Sequence, residues 1–206
     1  MNPTTPLCPQ FLFDFASPNA YMCHRLIPAI ESRTNKRFAY QPIFLGGLFK
    51  LSNNRPPFET FADVPNKIAF EKLEMQRFVS QHRLDAFRFN PNFPISTLPL
   101  MRGAVAAQRL DCFERYVEMV FVAMWERGLK MDDPATIETV LTEGGMDAEF
   151  LMKTAQYEEI KDALTENTQA ACEGGAFGVP TFFVGDEMFF GKECLHAVVE
   201  KMVIAP

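Results

Sequence analysis

Ser17 follows a short apolar run, Phe11 to Phe15, and precedes Pro18 and an amphipathic stretch. That order spells a strand, a tight turn and a helix N-terminus. Unpaired backbone N–H groups and the helix dipole at such a place favour an anionic sulfur, so a cysteine there would be a nucleophile. Here the position holds a hydroxyl, and Ala20 three residues on leaves no Cys-x-x-Cys pair. The chain therefore cannot exchange disulfides at that spot. Ser17 can, however, donate a hydrogen bond to the thiolate of another molecule and lower its pKa, and an exogenous thiol is the cofactor this implies. The plainer reading is a helix cap, because serine at the N-cap with proline at the first helical position is a common start.

Val179-Pro180 opens a β-rich run near the other end of the chain. Proline is tolerated as the first residue of a strand. A cis bond there would instead turn the N–H and C=O of Val179 outward, toward a peptide-like ligand. Gly191-Lys192-Glu193 begins a closing helix whose N–H groups can hold a carboxylate, or simply form a solvated cap. The remaining reactive side chains point elsewhere. Cys8, Cys23, Cys112, Cys172 and Cys194 are odd in number and include no Cys-x-x-Cys pair, and His24, His82 and His196 show no ligand spacing. Neither a disulfide framework nor a metal centre is expected. Cys23, a turn and a half inside the first helix, reads as a buried thiol rather than an oxidant.

Positioning these groups requires strands at both ends. The first is Phe11–Phe15, then a helix over Asn19–Arg33 bent or offset at Pro28, then a strand over Phe38–Ile43. The last part reads as a strand from Pro180, a hairpin turn at Gly185-Asp186, a second strand and a helix. Strand-helix-strand at one end and strand-strand-helix at the other outline an α/β, thioredoxin-like domain. Between them, Gly46-Gly47 and Ser52–Pro65 read as a long loop, helical periodicity starts at Asn66, and Phe87–Ser96 is irregular. Helices then follow from Thr97 to Cys172. The expected organisation is a thioredoxin-like domain from 1–45 and 156–206, with a large all-α insertion over 46–155.

With 206 residues, 48% of them hydrophobic, the chain can bury a full core. Its 20 basic and 26 acidic residues give a net charge of −6 with no basic run, so no nucleic-acid or anionic-membrane partner is expected. Residues 1–10 lack the pattern of a signal peptide and no apolar stretch reaches membrane-span length, which makes a cytoplasmic protein the expectation.

Four segments taken together, FDFASPNAY, LGGLFKLSNNRPP, NPNFP and FGVPTFFVGDEMFFGKECL, resemble the 2-hydroxychromene-2-carboxylate isomerase family. That family is similar to the kappa-class glutathione transferases and to DsbA-type proteins. The resemblance runs from about Phe11 to Met202. It implies the DsbA/kappa-class fold, a glutathione site, a homodimer, and a small aromatic carboxylate as substrate. By motif, Ser17 corresponds to the catalytic serine beside the glutathione sulfur. Val179, before Pro180, resembles the residue whose backbone pairs with the cysteinyl part, and Phe190-Gly191-Lys192-Glu193 matches the stretch holding the γ-glutamyl end. Lys50, Asn54 and Arg55 resemble residues that meet substrate or glutathione, and Phe93 falls where an aromatic closes the substrate pocket. Relatives usually carry a small polar residue followed by Asp where this chain has Lys192-Glu193. The implied reaction is a glutathione-dependent cis-trans isomerisation. A kappa-class-like transferase or peroxidase and a non-catalytic thioredoxin-like binding module are the alternatives.

Overall fold

The computed structural model describes residues 8–204. Strand β1 (Gln10–Phe13) is apolar on both sides because both sides are covered. It pairs in parallel with β2 (Ala39–Pro42) and antiparallel with β3 (Thr181–Val184), which turns at Gly185 into β4 (Glu187–Phe190). The sheet order is β2-β1-β3-β4, so the two ends of the chain meet at its centre.

On one face Phe11 and Phe13 join Phe182, Tyr40 and Phe121 in a continuous set of ring contacts. Helix α1 (Pro18–Thr34) lies over this face and buries Tyr21, Ile27 and Ile30; it runs unbroken through Pro28. On the other face Leu12 meets Ile43, Leu48, Ala171 and Val179, brought by α2 (Leu45–Leu51), α9 (Glu158–Glu173) and the segment before β3. Alternate side chains of one strand thus seed two cores.

Between α2 and α9 come α3 (Pro57–Thr60), α4 (Pro65–Gln81), α5 (Leu98–Arg109), α6 (Phe113–Trp125), α7 (Pro134–Glu143) and α8 (Ala148–Thr154). Helix α5 packs on α6, α8 and α9, and α7 bridges α6 and α8. Gly103 permits the close approach of α5 and α6, since a Cβ there would lie 2.1 Å from the Tyr116 hydroxyl oxygen.

Further expectations change, and the stretch Ser52–Pro65 read as a loop carries α3. Gly46-Gly47 lies inside α2 rather than in a loop; the two residues face the Phe44 ring, and a Cβ on either would come within 2.9 and 3.1 Å of it. The absence of a side chain here serves packing, not a turn. The apolar face implied by the helical period from Asn66 onward is only half used. Met75, Phe78 and Val79 rest against the main core, whereas Phe70 and Leu73 are exposed and no residue of α4 is buried. The chain closes with a 3-10 turn (Lys192–Cys194) and α10 (Leu195–Ile204).

Candidate functional site

The Ser17 hydroxyl sits at the N-cap of α1, buried, where its oxygen accepts the N–H of Ala20 at 3.1 Å. Its hydrogen is donated to the carbonyl oxygen of Val179, also at 3.1 Å, across 162 residues of sequence. The Val179-Pro180 bond is cis. Thr181 Oγ1 donates to the Gly178 carbonyl at 2.7 Å on one side of it, and the Gly191 N–H donates to the Pro180 carbonyl at 2.9 Å on the other. Here the arrangement differs from the expectation that both polar groups of Val179 face outward. Its carbonyl is taken by Ser17, whereas among the described residues its N–H has no acceptor.

Asn54, in the loop after α2, donates from Nδ2 to the Phe177 carbonyl at 2.8 Å, two residues before Val179. Phe177 in turn packs at a tilt against Phe190, ring centres 4.5 Å apart, and the Phe190 ring lies 2.9 Å from where a Cβ on Gly178 would stand. Asn54, Phe190, Gly191, Val179, Pro180 and Ser17 are therefore linked by direct contacts. Phe93, preceding a second cis proline bond, belongs to a cluster with Phe58, Phe89 and Trp125. Trp125 Nε1 donates to the Phe15 carbonyl at 2.9 Å, which ties that cluster to the turn presenting Ser17. Lys50 and Arg55 are exposed, and among the described residues neither side chain has a partner.

Lys192 and Glu193 form an ion pair with each other. Lys192 is only 5% exposed, its ammonium 5.1 Å from the centre of the Phe78 ring, whereas the Glu193 side chain remains 63% exposed. The carboxylate assigned by resemblance to a ligand ammonium already has an internal cation. The Cys23 thiol is fully buried, and burial pushes it far above its ordinary range, with Glu193 adding to the effect. It offers no nucleophile to this site.

Asp14 was not singled out by the sequence reading, yet three segments converge on it. Its Oδ1 accepts the Ala16 N–H at 2.9 Å and the Thr97 hydroxyl at 2.6 Å, and its Oδ2 accepts the Leu45 N–H at 2.7 Å. One buried carboxyl fixes the turn before Ser17 and the starts of α2 and α5. Burial raises its pKa, and the three donors oppose that rise. The signal available in the sequence was an acid inside the apolar run Phe11–Phe15, where only a satisfied carboxyl is tolerated.

A model of the DSBA-like thioredoxin domain matches residues 10–203. The 2-hydroxychromene-2-carboxylate isomerase of Pseudomonas putida is 26% identical over 194 residues, covering 94% of this chain and 93% of that protein. Glutathione S-transferase kappa 1 of Rattus norvegicus is 26% identical over 181 residues, covering 84% and 78%. A solved 2-hydroxychromene-2-carboxylate isomerase superposes with a TM-score of 0.82 at 25% identity, over 95% of this chain and 94% of that one.

Proposed function

The chain belongs to the DSBA-like thioredoxin domain family, and on that premise we propose that it is a glutathione-dependent cis-trans isomerase of a 2-hydroxychromene-2-carboxylate or a related aromatic-degradation intermediate. The observation that carries this reading is the contact of the Ser17 hydroxyl with Val179, at a helix N-terminus and beside a cis proline. Relatives with matching names and near-complete coverage support the reaction class.

The residues fit a cysteinyl thiol. The unpartnered Val179 N–H and its carbonyl present a backbone pair of the kind that holds an extended peptide. Bound glutathione would supply a thiolate nucleophile that can add to an unsaturated substrate and leave again. Ser17 has one hydrogen. In the free protein it goes to Val179; when a ligand N–H takes over the Val179 carbonyl, that hydrogen is released to point at a sulfur. The first N–H groups of α1 add positive potential at the same place. Ligand docking and thiol activation are then one exchange of hydrogen bonds. Glu193, through its exposed carboxylate edge, would meet the γ-glutamyl ammonium in competition with Lys192, and Phe190 and Gly191 would flank that end. Lys50 and Arg55, without side-chain partners among the described residues, would suit a substrate carboxylate, and Asn54 and Phe93 would complete the substrate contacts. The protein is expected to work as a cytoplasmic homodimer; among the described residues no helix is long and apolar enough to cross a membrane.

The test is direct. Glutathione at millimolar concentration should raise the melting temperature by mass action, and Ser17→Ala should raise the pKa of bound glutathione, read from thiolate absorbance against pH. No thermal shift would favour a non-catalytic binding module. Kappa-class relatives give a second reading, a transferase or peroxidase. An isomerase leaves the total thiol unchanged while the substrate spectrum changes; thiol consumed in step with substrate would establish the transferase.

A further inference from the structure

A groove of about 530 Å³ lies between α1, α4 and α10, within the size range of small-molecule sites. It starts at Leu26, nine residues beyond Ser17, hence ~13 Å further along the helix. An aliphatic strip runs through a lining that also carries charged and polar side chains, Gln81, His82 and His196 among them. Leu26 and Ile30 from α1 face Leu195 and Val199 from α10, and the Phe78 ring of α4 covers one end.

The ion pairs around this groove leave one lining cation without a partner among the described residues. At the end toward Ser17, Lys192 is paired with Glu193, and on α4 Arg77 is paired with Glu74. Arg33, which also lines the groove, makes no ion pair among the described residues. Arg33 is thus the one cation lining the groove that lacks an ion pair among the described residues, while Glu200, 3.8 Å from the lining His196, adds a carboxylate at the rim. The Arg33 guanidinium stands in the last turn of α1, and the aliphatic strip begins beside it. From Arg33 back to Leu26 is seven residues of helix, or about 10 Å, the length of an extended chain of about eight carbons.

We propose that this groove is a second ligand site, sharing its Lys192–Glu193 end with the Ser17 cleft but taking a ligand of its own, a medium-chain aliphatic carboxylate with its head on Arg33 and its tail along Leu26, Ile30, Leu195 and Val199. A planar guanidinium offers the paired donors that a carboxylate accepts. The tail replaces water over side chains that already form an apolar trough.

Calorimetric titration of the full chain with decanoate, below its micellar concentration, tests this. One decanoate per chain is expected. Arg33→Met should weaken binding at least tenfold, as should replacing decanoate with uncharged decanamide. Val199→Trp, which fills the trough, should abolish binding while its unliganded melting curve stays cooperative. Saturating glutathione should leave the dissociation constant within twofold. Absence of binding, several decanoates per chain, equal binding by Arg33→Met and decanamide, or displacement by glutathione would each overturn the proposal.

Discussion

Lys192 is where this chain sets its own terms. A buried ammonium is costly without a carboxylate, and Glu193 supplies one. The pair makes Glu193 a weaker acceptor for a second ammonium, so Lys192→Ser should tighten glutathione binding by about tenfold, the equivalent of ~1.4 kcal/mol, and Glu193→Gln should weaken it. Calorimetry on both variants checks the signs; equal constants would show that neither side chain meets the ligand. Asp14 holds the opposite kind of charge in a similar situation. Asp14→Ala strips the acceptor from two N–H groups and one hydroxyl, and a loss of about 3 kcal/mol in urea unfolding is expected. Because burial raises the native pKa of Asp14, its contribution is complete below the unfolded value of 3.8 and declines as pH rises through the native one. The gap between wild type and Asp14→Ala should therefore be wider at pH 4 than at pH 7.

At the scale of elements, α1 and α6 are joined by a polar seam. His24 contacts the Tyr40 hydroxyl and Glu118 Oε2, each at 2.9 Å, Arg25 pairs with Glu118 at 2.7 Å, and Tyr21 donates to Glu126 at 2.8 Å. The hydrogen bond from His24, with the charges of His24 and Arg25, lowers the Glu118 pKa to about 2 against the cost of burial. The stabilisation is thus present above about 4.5 and lost as pH falls through about 2. Glu118 is half exposed, so Glu118→Gln should cost only ~1 kcal/mol near neutral pH, a difference that should vanish in denaturant melts near pH 2. Gly103→Ala, which drives a methyl into Tyr116, should cost ~1–3 kcal/mol wherever pH is set. The strands, α1 and most helices were legible because Phe11, Phe182 and the Pro-led helix starts carry local signals. Helix α2 was not, because its glycines answer to the Phe44 ring, a demand no window of sequence displays. Among the site residues, Ser17 and Val179-Pro180 showed themselves through turn and strand chemistry, and their mutual contact is in the structure. Asp14 stayed hidden because its three donors come from segments up to 83 residues away.

For the whole molecule, the exposed apolar side chains Phe58, Val64, Phe70 and Leu73 cluster in one stretch of sequence, α3 and α4. If the proposed homodimer uses this stretch, Phe70→Glu with Leu73→Glu should shift sedimentation to that of a monomer; an unchanged coefficient would place the contact elsewhere. The sheet order has a further consequence for synthesis on the ribosome. Strand β1 emerges long before β3, one of its two neighbours. Until residues near Val184 leave the exit tunnel, one edge of β1 lacks its partner, though α5 to α8 can already assemble. Nascent chains arrested before that point should remain sensitive to protease at Phe11–Phe15, and those arrested well after it should resist.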